Sequence, residues 1–196
     1  QYTVYFWADY GDGTYDLTYP DWVSLKDGKE IGMAYCGHTT ITLGEQTDPY
    51  AITLRRAVAQ VTLAQKNAAA ANNGLWLRVH YNRYTVYNAK DNTCAGEAAA
   101  AKIEYHTDAE WSANQQIAQF YVFAPEAGYT SNFVVKNGDD NADYTAPEIA
   151  TVSNVPLKAN YKTNITGNFN TSTITAARFT VTTDDTWGTP DNSETF

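Results

Sequence analysis

The stretch VPLKANYKTNITGNFNT, residues Val155–Thr171, decides the fold class, because a strand-like alternation of apolar and polar residues runs through it. A proline near its start and two Asn-x-Thr/Ser triplets accompany this alternation. Asparagine is typical of turns, where its side chain hydrogen-bonds nearby backbone groups. We therefore interpret Asn160, Asn164 and Asn168 as turn and edge residues of a β-structure.

The same alternation recurs outward from this stretch along the chain. Near the start, Tyr2–Ala8 alternates between two faces, and GDG at Gly11–Gly13 supplies a turn. LWLRVHYNRYTVYNAKDN is predicted to form one long strand or two short ones, and AQFYVFAP, SNFVVKNGDDNAD and ARFTVTTDD predict further strands. Many short strands separated by Gly, Asn, Asp and Pro favour an all-β fold built from sandwiches.

One change of phase interrupts the alternation in the segment YAITLRRAVAQVTLA. Every second residue up to Leu54 is apolar, whereas from Ala57 onward the apolar positions are shifted by one residue. The slip falls at Arg55 and Arg56. It predicts a β-bulge or a change of strand at this point.

Three short segments favour helix instead of strand. The stretch AQKNAAAANNG is predicted to form two helical turns that end at Gly74, and it also resembles a joint between domains, because alanine favours helix and glycine caps it. Further helical pieces are predicted near Ala98–Ala101 or over Asp108–Gln116. The remainder of the second part is predicted to be all-β.

Composition and charge restrict the possible functions. The chain has 196 residues, 13 Lys plus Arg and 22 Asp plus Glu, which gives a formal net charge of -9. This charge opposes binding to nucleic acid or to an anionic membrane surface. The apolar runs are far shorter than the roughly 20 residues that span a bilayer. Since the alternation begins at once after Gln1, we expect a processed or trimmed chain that lacks an upstream segment.

The sequence contains few patterns that are typical of catalytic or metal-binding sites. His38, His80 and His106 occur singly, without the spacing of a metal site, and each is predicted to be a surface or strand-face residue. Nucleophile-elbow, P-loop and dinucleotide-binding motifs are absent from the sequence. We therefore assign no catalytic residue, no cofactor-binding residue and no metal ligand, and expect a non-enzymatic protein without a cofactor.

Four other groups of residues each allow two interpretations. The carboxylate pairs Asp9 with Asp12 and Asp184 with Asp185 suit glycosidase chemistry, but any acidic chain offers such pairs. NGDDNAD, Asn137–Asp143, suits calcium but more often forms a solvated turn. Cys36 and Cys94 lack metal-site spacing and are either one disulfide or two buried thiols. The five tryptophans suit a sugar-stacking surface or a sandwich core, namely Trp7, Trp22, Trp76, Trp111 and Trp187.

Three motifs in order resemble the fimbrillin-like proteins, which are type V pilins and related fimbrial adhesins of Gram-negative gut and oral bacteria. In that family a "fWADY" strand precedes an "L-x-R-x-x-A-x-v" strand, and a "vPv-x-x-NYrTNI-x-GNlLT" stretch precedes the closing strand. The matching positions here are Phe6–Tyr10, then Leu54, Arg56, Ala59 and Val61, and finally Val155, Pro156, Asn160, Tyr161, Thr163–Ile165, Gly167, Asn168 and Thr171. One departure is Asn170, where the family has an apolar residue.

The resemblance implies a fold and a function. It implies two β-sandwich domains of transthyretin-like type, with residues 1–64 the C-terminal part of an incomplete N-terminal domain and residues 65–196 the C-terminal domain. It further implies a subunit of a cell-surface fimbrium, made as a lipoprotein precursor, exported through the periplasm to the outer membrane and used in cell adhesion. The asparagine triplets are then not expected to carry eukaryotic-type glycans.

The resemblance also implies a mode of assembly and leaves one alternative function. Fimbrillin-like pilins assemble by strand exchange, in which a groove left by proteolysis accepts an extended segment of the next subunit. The expected partners are other fimbrial subunits and a host or bacterial surface glycan or protein. The family's processing arginine lies upstream, so Arg55 and Arg56 are assigned no such role. The alternative is a surface glycan-binding β-sandwich module, suggested by 15 Tyr and 5 Trp.

Overall fold

The structure, a computed structural model, describes residues 1–19, 21–44, 51–70, 76–96, 98–106, 109–138, 146–170 and 179–188. These residues form β-strands and one short 3-10 helix, Thr186–Gly188, so the all-β prediction is confirmed. The strands are β1 Tyr2–Ala8, β2 Tyr15–Asp16, β3 Trp22–Leu25, β4 Tyr35–Ile41, β5 Arg55–Arg56, β6 Val58–Gln65, β7 Trp76–Arg83, β8 Val86–Asn88, β9 Thr93–Ala95, β10 Ala99–His106, β11 Gln116–Phe123, β12 Tyr129–Gly138, β13 Glu148–Leu157, β14 Lys162–Gly167 and β15 Phe179–Asp184.

The strands pair into four sheets. Their orders are β1-β4-β5, β2-β3-β8-β9, β10-β7-β12-β13 and β11-β6-β14-β15. All pairings are antiparallel except that of β14 with β6, which is parallel. Strands β8 and β9 lie in the same sheet as β2 and β3, although they are distant in sequence. The polypeptide therefore returns to this sheet after β7.

Two hydrophobic cores hold these sheets together. The larger core takes apolar side chains from the β10-β7-β12-β13 sheet, such as Val79 and Phe133, and from the β11-β6-β14-β15 sheet, such as Leu63 and Ile165. The smaller core takes Tyr15, Val23, Cys36 and Tyr87 from the other two sheets. Alternation along strands such as β12 and β14 places one face of the strand in the larger core, as a half-buried strand requires.

The two cores meet at the start of β6 and the end of β11. Val58 and Phe123 lie in the smaller core, whereas their neighbours Ala59 and Val122 lie in the larger one, and all four are fully buried. Immediately before this point, β5 belongs to the β1-β4-β5 sheet and β6 to another sheet. The phase slip at Arg55 and Arg56 is therefore a change of strand, one of the two predicted outcomes.

The opening stretch occupies the end of β13, a turn and all of β14. In the turn, Asn160 has a positive φ of 66° and its Oδ1 accepts a hydrogen bond of 3.1 Å from the Arg56 backbone N–H. Its prediction as a turn residue is confirmed. Asn164 lies in β14, which is paired on both sides, so its prediction as an edge residue is wrong. Asn168 Oδ1 is buried and accepts no hydrogen bond among the described residues, so the predicted role of Asn168 in satisfying backbone groups stays a prediction.

The predicted helices are not formed by the described residues. Ala99–Ala101 begin β10, because pairing with β7 outweighs the weak helix preference of alanine. Residues 66–70 and 109–115 are irregular and joined by a bridge between Ala69 and Trp111. Residues 71–75, 107 and 108, which include the predicted end at Gly74, lie outside the described residues.

The division into two β-sandwich domains stays a prediction. The described strands form four small sheets, each core lies between two of them, and the predicted boundary after residue 64 falls one residue before the end of β6.

Candidate functional site

The first strand of the chain has an unpaired edge. Strand β1 pairs with β4 along its whole length, from Tyr2 opposite Ile41 to Ala8 opposite Tyr35. On its other side no strand pairs with it among the described residues. None of its seven residues is fully buried, whereas most residues of β6 are. Within the described ranges, β1 is therefore an edge strand.

This edge lacks the features that protect sheet edges. Protected edges carry charged side chains, prolines or bulges. Among the other edge strands of six or more residues, β10 carries Lys102 and Glu104, β13 carries Pro156 and irregular pairing with β12, β11 has a register shift near Gln116, and β15 ends in Asp184. Strand β1, YTVYFWA, has no charge and no proline, and its pairing with β4 is regular.

A groove of about 460 Å³ runs beside β1. One wall is formed by five consecutive residues, Thr3–Trp7, and the other by Leu17, Tyr19, Val23 and Ala89. Consecutive residues of a strand point to opposite faces, so a groove that touches all five follows the edge of the strand. It has the position that an added strand would occupy.

The groove lies on the part of the molecule that exposes apolar side chains. Among the described residues, the exposed large hydrophobic side chains all lie within the first 43 residues. They are Tyr2, Tyr10, Leu17, Tyr19, Trp22 and Leu43, and Leu17 and Tyr19 line the groove. Tyr19 is 68% exposed. Leu17 and Tyr19 thus place exposed apolar surface at the groove.

Short hydrogen-bonded turns set the position of the walls. Asp9 Oδ2 accepts a bond of 2.8 Å from Trp7 Nε1, and its Oδ1 accepts one of 2.6 Å from the Gly11 backbone. Hydrogen bonds from Thr14 lower the pKa of Asp12, and those from Thr18 lower the pKa of Asp16. These bonds fix the turns on either side of β2. Asp9 and Asp12, one of the two carboxylate pairs considered for glycosidase chemistry, thus both serve in turns.

The floor of the groove is the smaller core. The Trp7 indole contacts Tyr15 edge-on, with ring centroids 5.3 Å apart, and Phe123 at 6.2 Å. The Tyr15 hydroxyl donates to the Gly32 carbonyl at 2.8 Å, and burial raises its pKa. The contacts with Tyr15 and Phe123 hold the Trp7 side chain in place at one end of the groove.

Both cysteines are free thiols in the smaller core. Cys36 Sγ lies 3.7 Å from the Tyr87 hydroxyl and 3.5 Å from Asn92 Oδ1. Burial raises the pKa of Cys36, and it raises the pKa of Cys94 to about 12. A thiol with a raised pKa is a poor nucleophile and acts here as a packed side chain.

The other residues considered from the sequence are dispersed. His38 is exposed and contacts Tyr5, His106 stacks on Trp76 with centroids 4.8 Å apart, and His80 lies on β7. Among the tryptophans, Trp111 is buried and Trp22 is 37% exposed. Within the described ranges no group of three or more His, Cys, Asp or Glu could hold a metal. Most of the NGDDNAD turn, residues 139–143, lies outside the described residues.

No helix among the described residues is long and apolar enough to cross a membrane.

Sequence reasoning missed the groove, although part of its signal was present. The absence of charge and proline from β1 is visible in the sequence. The opposite wall, with Leu17 and Tyr19, depends on how the β2-β3 connection folds back, and the alternation pattern does not reveal it.

A family model matches residues 1–195 of this chain and describes a family of unknown function, DUF6562. The chain belongs to this family. Comparison of this DUF6562 protein with functionally curated sequences gave no match. Its structure has a TM-score of 0.50 and 10% identity with a candidate cell adhesion protein from Bacteroides eggerthii, over 78% of this chain and 63% of that protein.

Two further solved structures are similar to the DUF6562 chain. A candidate adhesin from Bacteroides thetaiotaomicron has a TM-score of 0.49 and 9% identity, over 84% of this chain and 65% of that one. The fimbrial anchor protein Mfa2 from Porphyromonas gingivalis has a TM-score of 0.48 and 13% identity, over 93% of this chain and 74% of that one. The chain thus spans less than two thirds of both Bacteroides proteins.

The fold shared with the B. eggerthii protein agrees with the resemblance that the sequence motifs indicated.

Proposed function

We propose that this protein is a structural or adhesive subunit of a bacterial cell-surface fimbrium, and that the β1 edge accepts a strand from another subunit. The observation that carries the proposal is the uncharged, proline-free edge of β1 beside a groove of about 460 Å³. An edge without protective features normally aggregates, so a protein that retains one is expected to use it for binding.

Strand addition accounts for the incomplete burial of β1. Backbone hydrogen bonds along the edge supply continuity, and alternate side chains of the incoming strand fill the space between β1 and the Leu17–Tyr19 wall. Trp7 and Val23 would then lose their remaining contact with water. No catalytic step is needed for this assembly, in agreement with the non-enzymatic role expected from the sequence.

The fold shared with a candidate cell adhesion protein supports the wider setting of the proposal. In this setting the protein is a pilin-type subunit made as a lipoprotein precursor, exported through the periplasm and displayed at the outer membrane. The two transthyretin-like sandwich domains of this setting, residues 1–64 and 65–196, would be built around the two cores, with β6 of the first range contributing to the larger core and β8 and β9 of the second range packing at the smaller one. Partners are other fimbrial subunits, of the same or a related kind.

A lysine on the β1 edge tests the proposal. Thr3 is exposed and lines the groove, so Thr3→Lys adds an edge charge without disturbing a core. We expect the wild-type protein to form concentration-dependent oligomers by size-exclusion chromatography with light scattering, and Thr3→Lys to remain monomeric. The matched control is Thr180→Lys, an exposed threonine on the edge strand β15, which should behave like wild type.

Two results would contradict strand addition at β1. One is a wild-type protein that stays strictly monomeric at high concentration and takes up no extended peptide. The other is oligomerisation that Thr3→Lys and Thr180→Lys weaken equally, since the effect would then not belong to β1.

Exposed aromatic rings favour a second candidate, a surface glycan-binding module. Tyr10 is 79% exposed, and Trp22 and Tyr19 adjoin the groove with Asp21 between them in sequence. Sugar rings stack on such side chains, and carboxylates accept their hydroxyl hydrogen bonds. Loss of binding on a glycan array in Trp22→Ala, with self-association unchanged, would favour this role. Retained oligomerisation with no glycan bound by the wild type would exclude it.

A further inference from the structure

The segment after β15 turns back over one face of the β11-β6-β14-β15 sheet. Asp184 is the last residue of β15, and its Oδ1 accepts hydrogen bonds from the Thr186 backbone N–H and hydroxyl, at 2.9 and 2.6 Å. In the short 3-10 helix that follows, the Trp187 ring stacks on that of Tyr121, with centroids 6.2 Å apart. Tyr121 belongs to β11, the opposite edge strand of this sheet. The Trp187 side chain therefore reaches from one edge of the sheet to the other.

Trp187 covers a polar residue on this face. One row of side chains crosses the four strands, in the order Tyr121, Gln60, Lys162 and Asp184. Val61, next to Gln60 in sequence, lies in the larger core, so the row faces away from that core. Gln60 is nevertheless only 8% exposed. Its neighbours on both sides contact Trp187, since Lys162 Nζ lies 5.9 Å from the centre of the Trp187 ring.

Arg56 is held between two aromatic rings. Its guanidinium carbon lies 4.5 Å from the centre of the Trp187 ring and 5.3 Å from that of the Tyr35 ring. Its Nη1 also donates a hydrogen bond to the Trp187 backbone carbonyl. Arg56 and Tyr35 pair with each other in the β1-β4-β5 sheet, whereas Trp187 follows the last strand of the β11-β6-β14-β15 sheet. One arginine side chain thus connects the two sheets.

The contact lies at the side of the smaller core. Trp187 and Tyr121 both pack against the apolar side chains of that core. Arg56 Nε is buried and has no hydrogen-bond partner among the described residues, so this part of the guanidinium depends on the two rings. A cation that lies over an aromatic ring is bound most strongly by tryptophan, and more strongly when water is excluded.

We propose that Trp187 is a latch that closes the side of the smaller core, and that Arg56 is the residue on which it closes. When the latch opens, the segment after β15 lifts off the sheet and Arg56 loses one of its two rings. The β1-β4-β5 sheet then loosens first, because the larger core lies on the other face of the latched sheet. This opening is local and precedes global unfolding. It does not depend on strand addition at β1.

Limited proteolysis of the complete chain measures how often the latch opens. Chymotrypsin cleaves after aromatic residues, and the Trp187 carbonyl that it would attack is the one that accepts the hydrogen bond from Arg56. We expect Arg56→Gln to raise the rate of cleavage between Trp187 and Gly188 by about 5- to 30-fold, because cleavage follows the population of the open form. Intact mass identifies the product by the loss of residues 188–196.

Two further variants locate the effect at Arg56. Arg55→Gln removes the neighbouring arginine, which is exposed and pairs with the exposed Glu126, and should be cleaved at the wild-type rate. Arg56→Lys keeps the charge but not the planar guanidinium, so its rate should lie between those of wild type and Arg56→Gln. Unchanged cleavage of Arg56→Gln, or equal acceleration by Arg55→Gln, overturns the latch.

Hydrogen exchange of Trp187→Ala tests the coupling to the smaller core without altering Arg56. We expect the amides of β4 to exchange about fivefold faster or more than in the wild type, and those of β7 and β12 to be unchanged. Unchanged exchange in β4 overturns the coupling. Equal acceleration in β4, β7 and β12 overturns it too, because Trp187 then stabilises the whole molecule instead of closing one side of it.

Discussion

At the scale of single residues, Gly167 shows why the quoted stretch needs a glycine. Gly167 lies directly opposite Phe179 across the β14-β15 pair, and a Cβ at this position would overlap the Phe179 ring. That ring packs edge-on against Phe169, which is fully buried. Because residue 167 is glycine, the Phe179 ring can lie over the backbone of β14 and contact Phe169.

Gly167→Ala is therefore expected to destabilise the protein. The methyl group displaces the Phe179 ring, and overpacking of this kind costs about 1–3 kcal/mol. The free energy of unfolding in urea measures the effect. Gly32→Ala is the control, because an added Cβ there makes only ordinary contact with Tyr15. If the collision is the cause, Phe179→Ala combined with Gly167→Ala will show much less than additive loss, whereas additive losses would contradict it.

The surroundings of Asn170 explain why a polar residue is tolerated where the fimbrillin-like motif has an apolar one. The family has an apolar residue at this position, but here the buried apolar residue nearby is Phe169. Asn170 is half-buried, and its Nδ2 donates a hydrogen bond to the Ala70 carbonyl. This hydrogen bond connects the segment after β14 to the segment after β6. Phe169, the neighbour of Asn170, fills the core instead.

At the scale of elements, three turns repeat one motif. Asp12-Gly-Thr14, Asp16-Leu-Thr18 and Asp184-Asp-Thr186 each place an aspartate two residues before a threonine whose backbone N–H donates to the carboxylate, at 2.9 to 3.0 Å. These bonds are stronger to the ionised carboxylate than to the neutral acid, and they therefore lower the pKa of all three aspartates. The turns therefore act as acid-sensitive joints between strands.

The acid sensitivity has a defined sign. The pKa of Asp184 is lower in the folded state than the ordinary value of 3.8, so its contribution to stability is present above 3.8 and is lost as the pH falls through the folded-state value. Asp184→Asn should therefore lose stability less steeply on acidification than the wild type. Urea midpoints measured from neutral to strongly acidic pH check this, with Asp185→Asn as the control. Parallel curves for wild type and Asp184→Asn would contradict the role of the turn.

The elements also show what the sequence can and cannot predict. Alternation identified β1, β7, β11 and β15, because each has one face in a core and the pattern is local. The alanine-rich start of β10 was covered by a predicted helical piece near Ala98–Ala101, since the pairing with β7 that makes it a strand is not encoded nearby. The groove required the approach of residues 17–19 to β1, which is a tertiary contact without a periodic signal.

At the scale of the whole molecule, the two cores are joined but unequal. Both faces are buried at the start of β6 and the end of β11, and an ion pair of 2.5 Å links the buried Arg83 of β7 to Glu30 beside the smaller core. The larger core lies between two four-stranded sheets, whereas the smaller one is bounded by a three-stranded sheet whose outer strand has no fully buried residue. The smaller core has less apolar area removed from water, so it is expected to open more easily.

Hydrogen exchange measured by mass spectrometry under native conditions should reveal this inequality. We expect amides of β1 and β4 to exchange faster than those of β6, β7 and β12, because local opening follows the least buried sheet. Self-association at high protein concentration should slow exchange in β1 and the residue 17–19 wall and leave β12 unchanged. The Thr3→Lys variant supplies the control, since it should show the same pattern at low concentration and no response to higher concentration. Uniform protection across both cores would mean that the molecule opens as one unit and that the β1 sheet needs no added strand for stability.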